Sequence, residues 1–197
     1  MSQIASLVDD VLRRRLAPEL KERGYRLQRR DLWREMDDAV LVVNIQGARA
    51  NCGSSGAFLV NFGKHFPALE RLIVGRTVAR RLKEYDCHFR IRLENLAPRK
   101  LGAYWALDES SDLDSVAENL AAAVREYGLP WLETTTTHLA VAQTCEQSRP
   151  LISAAAYYAC GTPDDALRVL DTYVAWYPDR IESTAVLRAK CKEAVVA

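Results

Sequence analysis

Asn44, Gln46, Asn61, His88, Arg90 and Arg92 fall at alternating positions of three extended apolar runs, VLVVNIQG, FLVNFG and CHFRIRL. Successive side chains of a strand point to opposite faces. The first run then sends Leu41, Val43 and Ile45 to one side and Asn44 and Gln46 to the other. The second turns Phe58, Val60 and Phe62 inward and Asn61 outward. The third sets Cys87, Phe89, Ile91 and Leu93 against His88, Arg90 and Arg92. If the runs are neighbours in one sheet, the six polar residues form a single surface. Guanidinium groups flanked by amides suit a carboxylate, a phosphate or a partner's backbone. Two arginines on alternate residues stand about 7 Å apart along a strand, which suits two anionic groups on one partner. The plainer reading of the same residues is a solvated face, since antiparallel sheets commonly keep one side wet.

Other chemistry finds less support. Cys52 lies in the loop NCGSSG, but His88 follows Cys87 directly, so those two point to opposite faces and cannot pair as nucleophile and base. There is no G-x-S-x-G elbow. The three histidines, His65, His88 and His138, lack H-E-x-x-H or related spacing, so no metal site is expected. Gly53 and Gly56 lack the G-K-[ST] of a phosphate loop. No cofactor is expected.

The elements that must position the polar face can be read from periodicity. Apolar residues from Ile4 to Leu20 recur at helical spacing, with Pro18 predicting a kink near Leu16 and Gly24 a cap. Strands are expected over 25–36, 39–47, 57–66 and 87–94, with a short fifth at 104–107. A helix is expected from Pro67 to Leu82, decorated by Arg71, Arg76, Arg80, Arg81 and Lys83. Beyond Asp108 the pattern is helical. Ser111 or Asp112 caps a helix that Gly128 and Pro130 end, and Thr137 caps the next. Three more helices follow over 151–160, 163–176 and 180–195, the middle one capped by Thr162. The spacing Tyr157, Gly161, Ala166, Leu170, Pro178 resembles one tetratricopeptide unit. The expected fold is α+β: an antiparallel sheet of four or five strands with helices packed on one face, then a C-terminal helical hairpin and a capping helix. The expected division is residues 1–147 and 148–197.

Length and composition bound the function. The 197 residues are 49% hydrophobic, enough for a substantial core. The net charge of +1 hides a split. Residues 1–100 hold 20 Lys/Arg against 12 Asp/Glu, and residues 101–197 hold 7 against 14. A basic face seeking an acidic partner and mutual attraction of the two halves both produce such a split. The near-neutral total argues against nucleic acid as partner. Five scattered cysteines without C-x-x-C suggest reduced thiols. The start MSQIASLVDD is acidic where a signal peptide is basic, and no apolar stretch reaches spanning length. A soluble cytoplasmic protein, with no membrane association, is expected.

Several short pieces carry a family likeness: LKERGY (Leu20 to Tyr25), LWRE (Leu32 to Glu35), VNIQ (Val43 to Gln46), FLVNFG (Phe58 to Gly63), YDCHFRIRL (Tyr85 to Leu93) and YWALD (Tyr104 to Asp108). Residues 16–108 thereby resemble a bacterial family termed domain of unknown function 4304. Gln46, Asn61, Gly63, Cys87, Arg90, Arg92 and Trp105 match its pattern, and Tyr104 departs from it. The resemblance implies an α+β domain and no activity. The expectation is a non-enzymatic module that binds a protein partner of acidic character, with an immunity protein masking a bacterial toxin as its concrete form. The alternative is a small-molecule binder or hydrolase using the polar sheet face.

Overall fold

The computed structural model describes residues 3–48, 51, 55–75, 82–97 and 105–196. The expectations for Cys52, Arg76 to Arg81 and Tyr104 lie outside the described residues. The fold divides into a sheet unit, Met1–Met36, Val40–His65 and Leu82–Thr134, and a helical unit, Asp37–Ala39, Phe66–Arg81 and Thr135–Ala197.

The sheet unit is built on six antiparallel strands: β1 (Arg26–Gln28), β2 (Asp31–Glu35), β3 (Val40–Gly47), β4 (Ser55–His65), β5 (Phe89–Arg92) and β6 (Trp105–Asp108). Their order is β1-β2-β3-β4-β5. The long β4 offers one edge to β3, and on the other takes β5 at Asn61–Lys64 and β6 at Ser55–Phe58. The single strand expected over 25–36 is instead a hairpin of β1 and β2. Its turn holds Arg29 at φ 60°, a conformation that no glycine, asparagine or proline announces. The strand expected over 87–94 shortens to Phe89–Arg92, because Leu93–Leu96 coils into α4, the fourth helix in chain order. Leu93 is buried as the alternation requires, and Phe89 and Ile91 on the edge strand are half-buried; Cys87 is buried too, but it precedes the strand and packs against Gly63 on the opposite face from the one expected.

One sheet face is the core. Leu32, Leu41, Val43, Ile45, Phe58, Val60 and Phe62 are buried on it. The apolar stripes of the unit's helices are buried in the same core: Ile4, Val8 and Val11 of α1 (Gln3–Val11) and Leu20 of α2 (Ala17–Glu22), with Ala117, Leu120 and Ala121 of α5 (Leu113–Ala123). Both helical stretches contain a five-residue π turn just before a proline. Ala17 N–H donates to Leu12 O ahead of Pro18, and Leu129 N–H to Val124 O ahead of Pro130. The widened turn makes room for a ring that would clash with the preceding turn. The kink expected near Leu16 takes this form. The helix end expected at Gly128 and Pro130 does not occur, because the same device carries the chain on into α6 (Leu129–Glu133). A side chain at Gly128 would overlap the Phe62 ring, so glycine lets the π turn close on the core.

Arginines of the first helical stretch meet acids of the second. Arg14 lies 2.6 Å from Asp114, Arg15 lies 3.3 Å from Glu118, and Arg125 reaches back to Glu19 at 2.7 Å. Such exposed pairs add little stability each, but they absorb part of the charge split within this one unit.

The helical unit contains α3 (Pro67–Ile73), α7 (His138–Cys145), α8 (Pro150–Ala159), α9 (Pro163–Trp176) and α10 (Ile181–Val196). Helices α8 and α9 pack along each other through fully buried Ala166 and Leu170, with Gly161 at φ 82° in the turn. Thr137 caps α7 by accepting from Ala140 N–H at 3.2 Å. Thr162 does not cap α9: its hydroxyl donates to Tyr157 O at 3.1 Å, serving a carbonyl at the end of α8. No helix among the described residues is long and apolar enough to cross a membrane.

Candidate binding cleft on the amide face of the sheet

The second face of the sheet carries a polar row. Register pairs Asp31 with Asn44, Asn44 with Asn61, and Asn61 with Arg92, so the four stand in line across β2, β3, β4 and β5. Paired residues of antiparallel strands share a face. Arg90, opposite Gly63, and Gln46, two residues beyond Asn44, share it too.

Hydrogen bonds run along the row in one direction. Asn44 Nδ2 donates to Asp31 Oδ1 at 2.7 Å. Asn61 Nδ2 donates to Asn44 Oδ1 at 3.0 Å and to Gln46 Oε1 at 3.1 Å. The direction has a cause. A carboxylate only accepts, so Asp31 draws the amino side of Asn44 toward itself and turns the Asn44 carbonyl to Asn61. Asn61 then spends its amino group on two carbonyls. Gln46, with its carbonyl held inward, is left with its amino group for other partners.

The row is also covered. Asp31 is 5% exposed and Asn61 2%. The 3₁₀ segment Glu84–Asp86 and its flanks lie over the middle of the face, and Lys83 forms an ion pair with Asp31. Gly63 permits this approach: a Cβ there would lie 2.5 Å from Cys87 Sγ and 2.9 Å from Cys87 Cβ. Burial pushes the Cys87 thiol well above its usual range, with Glu84 and Asp86 adding to the effect. It is therefore a packed, protonated thiol.

Beyond this cover the face opens into a cleft of about 790 Å³, whose wall includes Gln46, Asn51, Leu59, Arg92, Asp108 and Ser111. Asn51 secures the β3–β4 end by acting as a backbone would. Its Nδ2 donates to Ala57 O at 2.9 Å and its Oδ1 accepts from Ala57 N–H at 2.7 Å. Asp108 Oδ1 accepts from Ser110 N–H, Ser110 Oγ and Ser111 Oγ at 2.8–3.0 Å. These donors hold its carboxyl below the usual carboxylate range.

The six residues singled out by alternation thus divide. Gln46 and Arg92 line the cleft. Asn44 and Asn61 lie behind it, in the amide row. Arg90 turns to the covering segment, its Nε donating to Glu84 Oε1 at 2.7 Å, so the two arginines do not act as a pair. His88 stacks obliquely on His65, ring centres 4.9 Å apart. Arg92 lies 3.6 Å from Glu94 and remains half exposed. Reading the sequence missed Asp31, Lys83, Asn51 and Asp108. Asp31 had a usable signal, because it adjoins Leu32 and so must face away from the core. Lys83 had none, since its role depends on a chain reversal over Gly63.

Residues 16–134 match the family model described as Domain of unknown function (DUF4304). Comparison with curated proteins finds no match, and comparison with solved structures finds none.

Proposed function

The chain belongs to this family, and on that footing we propose that it is a protein-binding module whose cleft receives an acidic side chain of a partner. The observation that carries this reading is the one-way amide row, which leaves Gln46 with donors beside the Arg92 guanidinium. The Gln46 amino group and the Arg92 guanidinium together favour a carboxylate, and charge-assisted hydrogen bonds are the stronger kind. Asp108 on the same wall suits a donor near that carboxylate, such as a backbone N–H of the partner segment. The buried part of the site is already satisfied, so little ordering is needed on binding. Masking of a toxin is one concrete form of this role.

The test is calorimetric titration of the whole chain with short peptides carrying Glu or, at the same place, Gln. The Glu peptide is expected to bind and the Gln peptide to bind at least about tenfold more weakly. Arg92→Ala reduces Glu-peptide affinity while leaving the melting temperature unchanged, and Gln46→Leu reduces it with a loss of stability of about 1–3 kcal/mol, because buried Asn61 loses an acceptor. Free glutarate separates the sources of the carboxylate: saturation with the affinity of the peptide would favour a small-molecule site. Absence of Glu-peptide binding, or binding indifferent to both substitutions, would overturn the proposal.

A further inference from the structure

Asp31 lies outside the cleft, with two amides between its carboxylate and the Gln46 side chain. We infer that Asp31 is a specificity-determining residue: by fixing the direction of the amide row it decides that the cleft presents donors, and so selects carboxylate over amide ligands. The inference builds on the carboxylate reading above and names what sets the selectivity of that site.

An asparagine or glutamine side chain can turn over, exchanging donor and acceptor, and retain its shape. Asn44, Asn61 and Gln46 therefore have two self-consistent arrangements. In the observed one, Asn61 Nδ2 serves both carbonyls and Gln46 offers its amino group. In the reverse, Asn44 and Gln46 donate to Asn61 Oδ1 and Gln46 offers its carbonyl. Nothing within three amides chooses between these. The choice comes from Asp31, which is 5% exposed and can only accept. Lys83 has a different part. It compensates the buried carboxylate, which would otherwise be costly, and it contributes nothing to direction while Asp31 remains ionised.

The two partners can be told apart. In Asp31→Asn, Lys83 takes the new carbonyl and leaves the new amino group facing Asn44. The row reverses, and Gln46 presents an acceptor beside Arg92. In Lys83→Met, Asp31 still accepts from Asn44, so the direction survives although the fold is weakened. A purely structural role for Asp31 predicts the same outcome for both variants.

The experiment follows side-chain amide hydrogen exchange by nuclear magnetic resonance and peptide selectivity by calorimetry, on the full chain. In the unsubstituted protein the Asn61 amino protons exchange slowly and those of Gln46 fast. In Asp31→Asn the pattern inverts and the Glu-over-Gln peptide preference falls from about tenfold to parity or below. Lys83→Met keeps both pattern and preference. If Asp31→Asn fails to fold, the double variant Asp31→Asn with Lys83→Met removes the charge pair together, and its two arrangements should mix. Slow exchange at Gln46 with fast exchange at Asn61 in the unsubstituted protein would overturn the inference without any variant. So would an unchanged pattern in Asp31→Asn or, failing that, in the double variant. If the pattern inverts but no Glu peptide binds even the unsubstituted chain, the inference about the row's direction stands and the carboxylate function fails.

Discussion

The sheet unit and the helical unit each hold a depression of nearly the same volume, about 790 and 780 Å³, made by different means. In the sheet unit, Gln46 and Arg92 project from strands whose spacing is fixed by the ladder, and Gln46 is held from behind by a buried amide. In the helical unit the wall is Arg149, Arg168, Tyr173, Trp176, Tyr177 and their neighbours. There Arg168 is held by Glu146 and Asp165, and Trp176 is 75% exposed. Surface ion pairs restrain side chains weakly. Volume alone therefore says little about selectivity. A wall backed by a buried network distinguishes donor from acceptor, and a wall of exposed rings and ion-paired arginines adapts.

The largest expected effect would break the cover of the first cleft. Gly63→Ala places a Cβ against Cys87, so the covering segment must lift and Lys83 must leave Asp31. We expect a loss of about 3 kcal/mol in chemical denaturation, at the upper end for overpacking. Glu-peptide affinity should fall with it. Unchanged stability would mean that the cover is not what holds the row.

The counterpart in the helical unit is Ala166→Leu at the fully buried contact of α8 and α9. It should cost roughly 1–3 kcal/mol. Because the groove's wall draws on both helices, it should change shape without any effect on the amide exchange pattern of Asn61 and Gln46.

Titration separates the units next. Burial pushes the Lys64 ammonium down to about 8. Its Nζ donates to Thr134 O at 2.6 Å and lies 4.3 Å from the centre of the Trp131 ring, contacts that favour the charged form and oppose the shift. A lysine lowered in the folded state binds fewer protons there than in the unfolded chain. Stability should therefore rise with pH between about 8 and 10.5, by about 1–3 kcal/mol. Lys64→Met should flatten that rise. In the helical unit burial lowers His138, against the pull of Asp38 at 3.2 Å. Its window lies on the acid side: stability falls as pH drops below the usual histidine value, and His138→Gln removes that slope. Thermal melts across the pH range check both.

The smallest expected effect is at Trp176→Ala, under about 0.5 kcal/mol, since the ring is largely in water. A substantial loss of stability there would mean that the groove is structural, and the contrast between the two depressions would weaken.

The fold was legible where alternation and capping speak locally. The opposition of Asn44 and Gln46 to Leu41, Val43 and Ile45 follows from a period of two, and Asp112 and Thr137 announce their helices. What escaped was set by tertiary fit. The Arg29 turn splits one expected strand without a turn residue. The π turn before Pro130 preserves a helix that sequence rules would end. In the site, alternation chose the face but not the partners. Asp31 joins the row through register, Lys83 through the return of the chain over Gly63, and Arg90 is diverted by Glu84. None of these pairings has a local signature.

The most direct test of the central claim is a nitrogen-15 titration of the whole chain with a short Glu-containing peptide, following the Gln46 side-chain amide, Arg92 Nε and the Trp176 indole. Gln46 and Arg92 should show saturable shifts with one dissociation constant, and Trp176 should stay stationary. Movement of Trp176 with Gln46 and Arg92 unmoved would contradict it.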